Sequence, residues 1–279
     1  MKKTVFITGG NRGIGLALCD KFANELGYKV YMGVRNLEKA KIALEQIGNP
    51  LKVIPIAIDV EFEESIAKAY QYYLNVKEED EQLNLFINNA GAQLDWVPNA
   101  SHIKTLEMPI ELLDRIFRIN TFSSLLTTRY FLPSMKAGTR IVNVSSGSGN
   151  LWDANAYMDF QVGYASSKIA LLMMTKKIAA AVEDKGIYVN AVCPGWCKTS
   201  MGGECAETTP EDGANSIIQA CFLDVEKPPR GQFFRYGQRI LVDVPPTSVY
   251  PYEQTIPIRK RRLLKLKKII KRIKNEFKR

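Results

Sequence analysis

Thr8-Gly9-Gly10-Asn11-Arg12-Gly13-Ile14-Gly15, entered directly from the apolar run Val5-Phe6-Ile7, decides how the rest of the chain is read. It predicts a strand that breaks on glycines and restarts as a helix over Leu16–Leu26. Such a turn brings bare backbone N–H groups and a helix N-terminus to one point, and both attract an anion such as a diphosphate. The spacing is Gly-x-x-x-Gly-x-Gly, and taken alone it also fits a tight connection that binds nothing.

Outward from this turn, strand and helix patterns alternate. Val5–Thr8, Lys29–Gly33, Val53–Ile58, Leu83–Asn88, Arg140–Ser145, Tyr188–Val192 and Ile240–Val242 read as short buried strands. Helical spacing is clearest in Leu16–Leu26, Glu63–Leu74, Leu112–Leu132, Tyr164–Val182 and Pro210–Leu223. Repeated β-α-β units with near-continuous apolar strands predict an α/β fold, a doubly wound parallel sheet of about seven strands. Right-handed crossovers then put the strand ends Thr8, Asn88, Ser146 and Cys193 along one edge, where such sheets bind ligands. The prolines at 245, 246, 251 and 257 suggest a linker over 243–258, between a single domain at 1–242 and a tail at 259–279.

Of the 279 residues, 46% are apolar and 24% charged, enough for a large core. No apolar run is long enough for a spanning helix, and Met1-Lys2-Lys3 leads straight into the first strand. Cys19, Cys193, Cys197, Cys205 and Cys221 form no disulfide framework and no metal-ligand spacing, so reduced thiols and a cytoplasmic setting are expected. The net charge of +9 is unevenly spread: 259–279 carries +11, leaving −2 for the first 258 residues. Within that tail Leu263, Leu266, Ile270, Ile273 and Phe277 recur at helical spacing among lysines and arginines. An anionic membrane surface is the first reading of this pattern; a coiled-coil seam or a disordered basic extension are alternatives. Nucleic acid is the weaker partner, because aromatic interleaving is absent.

Seven further elements follow the glycine turn in order: Asp59-Val60, Asn88-Asn89-Ala90-Gly91, Asn120, Ser145-Ser146, Tyr164-x-x-x-Lys168, Pro194-Gly195 and Thr199. Over roughly residues 4–242 the chain resembles the short-chain dehydrogenase/reductases, single-domain Rossmann oxidoreductases, and most nearly their carbonyl-reductase-like members. The residue types carry their own chemistry. Tyr164 and Lys168 are four apart on one helix face. A phenol of pKa about 10 exchanges protons poorly at neutral pH, and a nearby ammonium is expected to lower it toward a working acid/base. Ser146 can donate to a carbonyl oxygen. The resemblance implies the second serine of the pair rather than Ser145, a helix bent at Asn120 to hold a relay water, and a homodimer or homotetramer. In isolation each of these residues also fits a surface pair, a strand-end cap or a solvated face.

Cofactor choice is read after the second strand. A carboxylate there selects the ribose 2′-hydroxyl of NAD, whereas arginine accommodates a 2′-phosphate. Val34 stands where the acid would fall, followed by Arg35, and Arg12 supplies a second guanidinium. NADPH/NADP is therefore the expected cofactor. The resemblance places it against Gly9, Asn11, Arg12, Gly13, Ile14 and Gly15 at the turn, Asp59 and Val60 at the adenine, and Asn89, Ala90 and Gly91 at the adenosine ribose. Lys168 and Tyr164 would meet the nicotinamide ribose, and Pro194, Gly195 and Thr199 the carboxamide. Gln93, Leu94, Trp96, Trp152, Tyr157 and Met201 would border an apolar aldehyde or ketone, or merely pack loops. His102 is read as a surface residue. The expected activity is reduction of a small carbonyl compound by hydride transfer, with Tyr164 as proton donor. A non-catalytic NADP(H) sensor and a membrane-recruited scaffold are the rival functions.

Overall fold

The computed structural model describes residues 3–48, 51–79, 81–96, 102–151, 157–224 and 226–242. The fold occupies the unit Met1–Val242. The expected linker, the basic tail and Trp152 lie outside the described residues.

The chain alternates β1 (Lys3–Thr8), α1 (Gly13–Asp20), β2 (Lys29–Val34), α2 (Leu37–Ile47), β3 (Val53–Ala57), α3 (Glu63–Val76) and β4 (Gln82–Asn88). It continues through α4 (Ile110–Phe117), α5 (Ser123–Phe131), β5 (Met135–Val144), α6 (Val162–Ala181), β6 (Tyr188–Val192), α7 (Pro210–Cys221), β7 (Phe233–Arg235) and β8 (Gln238–Ile240). The eight strands form one sheet in the order β3-β2-β1-β4-β5-β6-β7-β8, a doubly wound α/β arrangement. Every pair from β3 to β7 is parallel, and only β7–β8 is antiparallel. The strand order reverses between β1 and β4, which opens a crevice beyond Thr8 and Asn88.

Period-two alternation sends neighbouring side chains of β1 to opposite faces. Val5 and Ile7 pack with Leu18, Ala40, Ala43 and Ile217 under α1, α2 and α7. Phe6 faces the other way, with Tyr73, Phe86, Phe131 and Ile178 beneath α3, α5 and α6. Its ring centroid lies 5.0 Å from Phe86 and 4.6 Å from Phe131. Truncating such a ring to alanine costs about 3–5 kcal/mol. Helix ends follow local chemistry. Asn36 accepts from the N–H groups of Glu38 and Lys39 at the start of α2, and Thr209 with Asp212 forms a capping box on α7.

The doubly wound α/β sheet is as expected, with eight strands among the described residues for the expected number of about seven, and three element bounds are corrected. Phe233–Arg235 adds in parallel to β6, and the last strand ends at Ile240 instead of spanning 240–242. Tyr236 (φ 48°) and Gly237 (φ 72°) form the two-residue turn between β7 and β8, a left-handed pair suited to a tight hairpin. Three residues are too few for a periodic signal, so this hairpin is silent in the pattern. The helix expected over Leu16–Leu26 starts at Gly13 and finishes as a π-helical turn over Lys21–Glu25. The one expected over Leu112–Leu132 is interrupted by a π-helical turn at Arg118–Phe122.

Candidate active site

The glycine turn is shaped by contacts that side chains would block. Gly9 takes φ 69°, and a Cβ on Gly15 would lie 2.0 Å from the Gly9 carbonyl oxygen. Only hydrogen fits at Gly15. No side chain caps the N-terminus of α1, so its first amides remain available to an anion. Asn89 braces the turn, its Nδ2 donating to the carbonyls of Thr8 (2.9 Å) and Gly9 (3.2 Å). Ala90 N–H donates to Thr8 Oγ1 at 3.0 Å. Thr199 reaches the same place from beyond β6, since a Cβ on Gly13 would lie 3.1 Å from its Cγ2. The preceding Pro194-Gly195 turns with φ 94° at Gly195. Asn11 and Ile14 are half-buried on the turn itself.

At the end of β2, Val34 is buried in the core and Arg35 is exposed directly after it. Arg12 Nη1 donates to Ser200 Oγ at 3.2 Å, linking the turn to the loop after Thr199. Asp59 is half-buried after β3, with its Oδ1 accepting from Glu61 N–H at 3.1 Å, and Val60 beside it is buried. These residues fit a dinucleotide: a glycine cradle a Cβ would fill, free helix amides, and no carboxylate directly after β2.

The second half of the site gathers at the C-terminal ends of β4, β5 and β6. Tyr164 is hydrogen-bonded to Ser146. Lys168, one turn along α6, has its Nζ 5.6 Å from the Tyr164 ring centroid and donates to the Val144 carbonyl at 2.9 Å. Ser145 is committed elsewhere, donating to the Lys168 carbonyl at 3.1 Å. Asn120 sits in the π-helical turn between α4 and α5. Its Oδ1 accepts from Ala92 N–H, and its Nδ2 donates to the Ala92 carbonyl (both 2.8 Å) and to Ser167 Oγ (3.0 Å). The helix is distorted at Asn120, and these bonds tie its side chain to Ala92 and Ser167. A Cβ on Gly91 would lie 3.3 Å from Asn120 Oδ1 and 3.4 Å from Lys168 Nζ, so the floor of the site is open only because residue 91 is glycine.

The electrostatics correct a further expectation. Burial raises Tyr164 to about 12, opposed by the hydrogen bond from Ser146 and reinforced by Cys193 and Asp95. Burial also lowers Lys168 to about 8. Lys168 therefore does not pull the phenol down. Both groups have left water, and desolvation outweighs an ammonium that is turned toward the Val144 carbonyl.

The two groups of residues thus meet along one sheet edge, in the order of the chain's motifs. The family model described as short chain dehydrogenase matches residues 3–210. The chain belongs to the short-chain dehydrogenase family. Its chemistry is nicotinamide-dependent oxidoreduction between carbonyl and alcohol groups. Short-chain dehydrogenase anuI of Penicillium roqueforti (strain FM164) is 33% identical over 232 residues, covering 78% of this chain and 88% of its own. NADPH-dependent aldehyde reductase 1, chloroplastic, of Arabidopsis thaliana is 32% identical over 200 residues, covering 69% of this chain and 65% of its own. In fold, this dehydrogenase resembles the NADPH-bound carbonyl reductase from chicken fatty liver, with TM-score 0.74 and 23% identity over 86% of this chain and 99% of that one.

The dehydrogenase also has a cavity of about 220 Å³ at the start of α6, lined by residues including Thr105, Ser148, Met158, Phe160, Gln161 and Ala165. Among the described residues expected to border substrate, Gln93, Leu94, Trp96, Tyr157 and Met201 are not part of its lining. Tyr157 is fully exposed, and Leu94 packs on the core around Phe6. Gln93, Trp96 and Met201 are half-buried, and His102 is exposed as expected. The cavity residues were missed because Thr105 and Met158–Ala165 meet only through folding, where Thr105 N–H donates to Asp159 Oδ1 at 2.9 Å. Also unmarked by any motif, the Arg235 guanidinium on β7 contacts Cys193 Sγ at 2.7 and 3.2 Å.

Proposed function

We propose that this dehydrogenase is an NADPH-dependent carbonyl reductase with Tyr164 as proton donor. The observation that carries the reading is the Tyr164–Ser146 hydrogen bond set over a buried Lys168. A phenol held near pKa 12 is protonated at neutral pH, the state a donor to a reduced carbonyl requires. When bound, the reduced nicotinamide supplies the hydride to the carbonyl carbon. Ser146 donates to the carbonyl oxygen where negative charge develops, and Tyr164 passes its proton to that oxygen. Lys168 orients the nicotinamide ribose and, from below, restores charge balance once Tyr164 has given up its proton. Arg12 and Arg35 hold the 2′-phosphate, for which the exposed guanidinium after β2 and the absence of an acid at Val34 are the support. Among the described residues that line the cavity none is charged, which supports a neutral aldehyde or ketone.

A cofactor sensor would have no use for a phenol, serine and lysine in this arrangement. The test is NADPH oxidation across a panel of neutral aldehydes and ketones. Turnover that disappears in Tyr164→Phe supports the reading, and a panel with no turnover overturns it. For the tail at 259–279, the +11 charge and apolar stripe support recruitment to an anionic membrane surface.

A further inference from the structure

The helix that carries Tyr164 and Lys168 begins without a cap of its own. Its N-cap residue, Gln161, is in the left-handed region (φ 61°) and makes no side-chain bond to the first turn, which also holds no acidic residue. The orphan amides are met from elsewhere in the chain. Asp95 Oδ2 accepts from Gly163 N–H at 2.7 Å and from Tyr164 N–H at 3.0 Å. Asp95 is 1% exposed. A carboxylate at a helix N-terminus is doubly favoured, by charge-assisted bonds and by the helix dipole. The fit is close, because a Cβ on Gly163 would lie 3.1 Å from Asp95 Oδ2 and 2.7 Å from Ile116 Cδ1.

Asp95 ends a strap that runs through the whole site. Asn89 and Ala90 tie it to the glycine turn, Asn120 clasps both backbone groups of Ala92, and Asp95 clasps the backbone of Tyr164 itself. We infer that Asp95 is a positioning residue for the proton donor, holding the first turn of α6 so that the Tyr164 phenol meets Ser146. This rests on the reductase reading above and extends it. Four groups face Tyr164: Ser146 from the end of β5, Lys168 from α6, Cys193 from the end of β6, paired with Arg235, and Asp95 from the strap. Burial is the main cause that raises the phenol, and Cys193 and Asp95 add to it by charge.

Two substitutions separate these effects. Asp95→Ala removes the acceptor, and kcat for carbonyl reduction should fall about 10- to 100-fold, with KM for NADPH little changed. Asp95→Asn keeps an acceptor oxygen but not the charge. It should recover most of that loss, while the alkaline limb of the kcat profile moves to lower pH. Amide exchange over the first turn of α6 reads the same clasp without activity, and should quicken at residues 163 and 164 in Asp95→Ala but not in Asp95→Asn. An unmoved kcat and limb, or unchanged exchange in Asp95→Ala, overturns the inference. If Asp95→Ala does not fold, Asp95→Leu, similar in size and without an acceptor, takes its place in the exchange measurement, and unchanged exchange there overturns the inference. If the wild type reduces no carbonyl, the reductase reading fails separately and amide exchange still tests Asp95.

Discussion

Lys168 Nζ donates to the Val144 carbonyl at 2.9 Å, and this bond sets α6 against the end of β5. Ser145 closes the clasp by donating back to the Lys168 carbonyl at 3.1 Å. The ammonium is held where water cannot reach it, with one hydrogen bond among the described residues. The cost falls on the fold. Lysine has an ordinary pKa of 10.5, and Lys168 is pushed down to about 8. Below pH 8 both folded and unfolded chains carry the proton, and the penalty is complete. Between about 8 and 10.5 the folded chain releases the proton first, and stability rises with pH. We expect Lys168→Met to stabilise the nucleotide-free fold at pH 7, by at most about 3 kcal/mol for a depression of this size and less for the lost bond to the Val144 carbonyl, while abolishing turnover. Denaturant unfolding at pH 7 and pH 10 checks this. The advantage of the variant should shrink at the higher pH.

Tyr164→Phe should keep the ring and lose the donor. The expected result is a fall in kcat of about 10²–10⁴-fold with nucleotide affinity nearly intact. Steady-state rates on a good substrate, set beside NADPH titration, separate the two. Near-wild-type turnover would exclude Tyr164 as the proton source.

Arg35 follows β2 with its guanidinium exposed, and no acid stands beside it at Val34. NADPH should bind more tightly than NADH, and Arg35→Asp should narrow or reverse that preference through loss of the phosphate pair and gain of a ribose acceptor. Calorimetric titration of both nucleotides measures it. A wild type that prefers NADH would contradict the assignment.

Gly15 tests the cradle. A methyl group there would sit 2.0 Å from the Gly9 carbonyl oxygen, so the turn must open to admit it. Gly15→Ala should destabilise the fold by about 1–3 kcal/mol and weaken nucleotide binding more than tenfold, by roughly the 1.4 kcal/mol that such a factor represents. Thermal unfolding with and without NADPH reads both effects, and a variant with unchanged Tm and affinity would refute the close approach.

For the tail, full-length protein should co-sediment with vesicles containing anionic lipid, and 1–258 should not. The attraction should weaken as salt rises. Equal sedimentation of the two forms removes membrane recruitment, and a preference for RNA over vesicles favours a nucleic-acid partner.

Much of this protein is legible without its fold. Glycines at 9, 13 and 15 announce a strand-turn-helix, because backbone geometry tolerates nothing larger there. The alternation of apolar strands and amphipathic helices announces a doubly wound sheet, because burial on both faces demands it. Tyr164 and Lys168 are linked by helix pitch alone. Other features came only with tertiary structure. The hairpin at 233–240 is too short to have a period. Asp95 and Gly163 lie 68 residues apart, and no spacing rule joins a loop carboxylate to a distant helix's amides. The protonation of Tyr164 and Lys168 was read from a pair of charges, but depends on how much water the folded site excludes. Residue order along the chain determines which groups can meet locally; desolvation and contacts across the sheet are properties of the packed whole, and they decide how those groups behave.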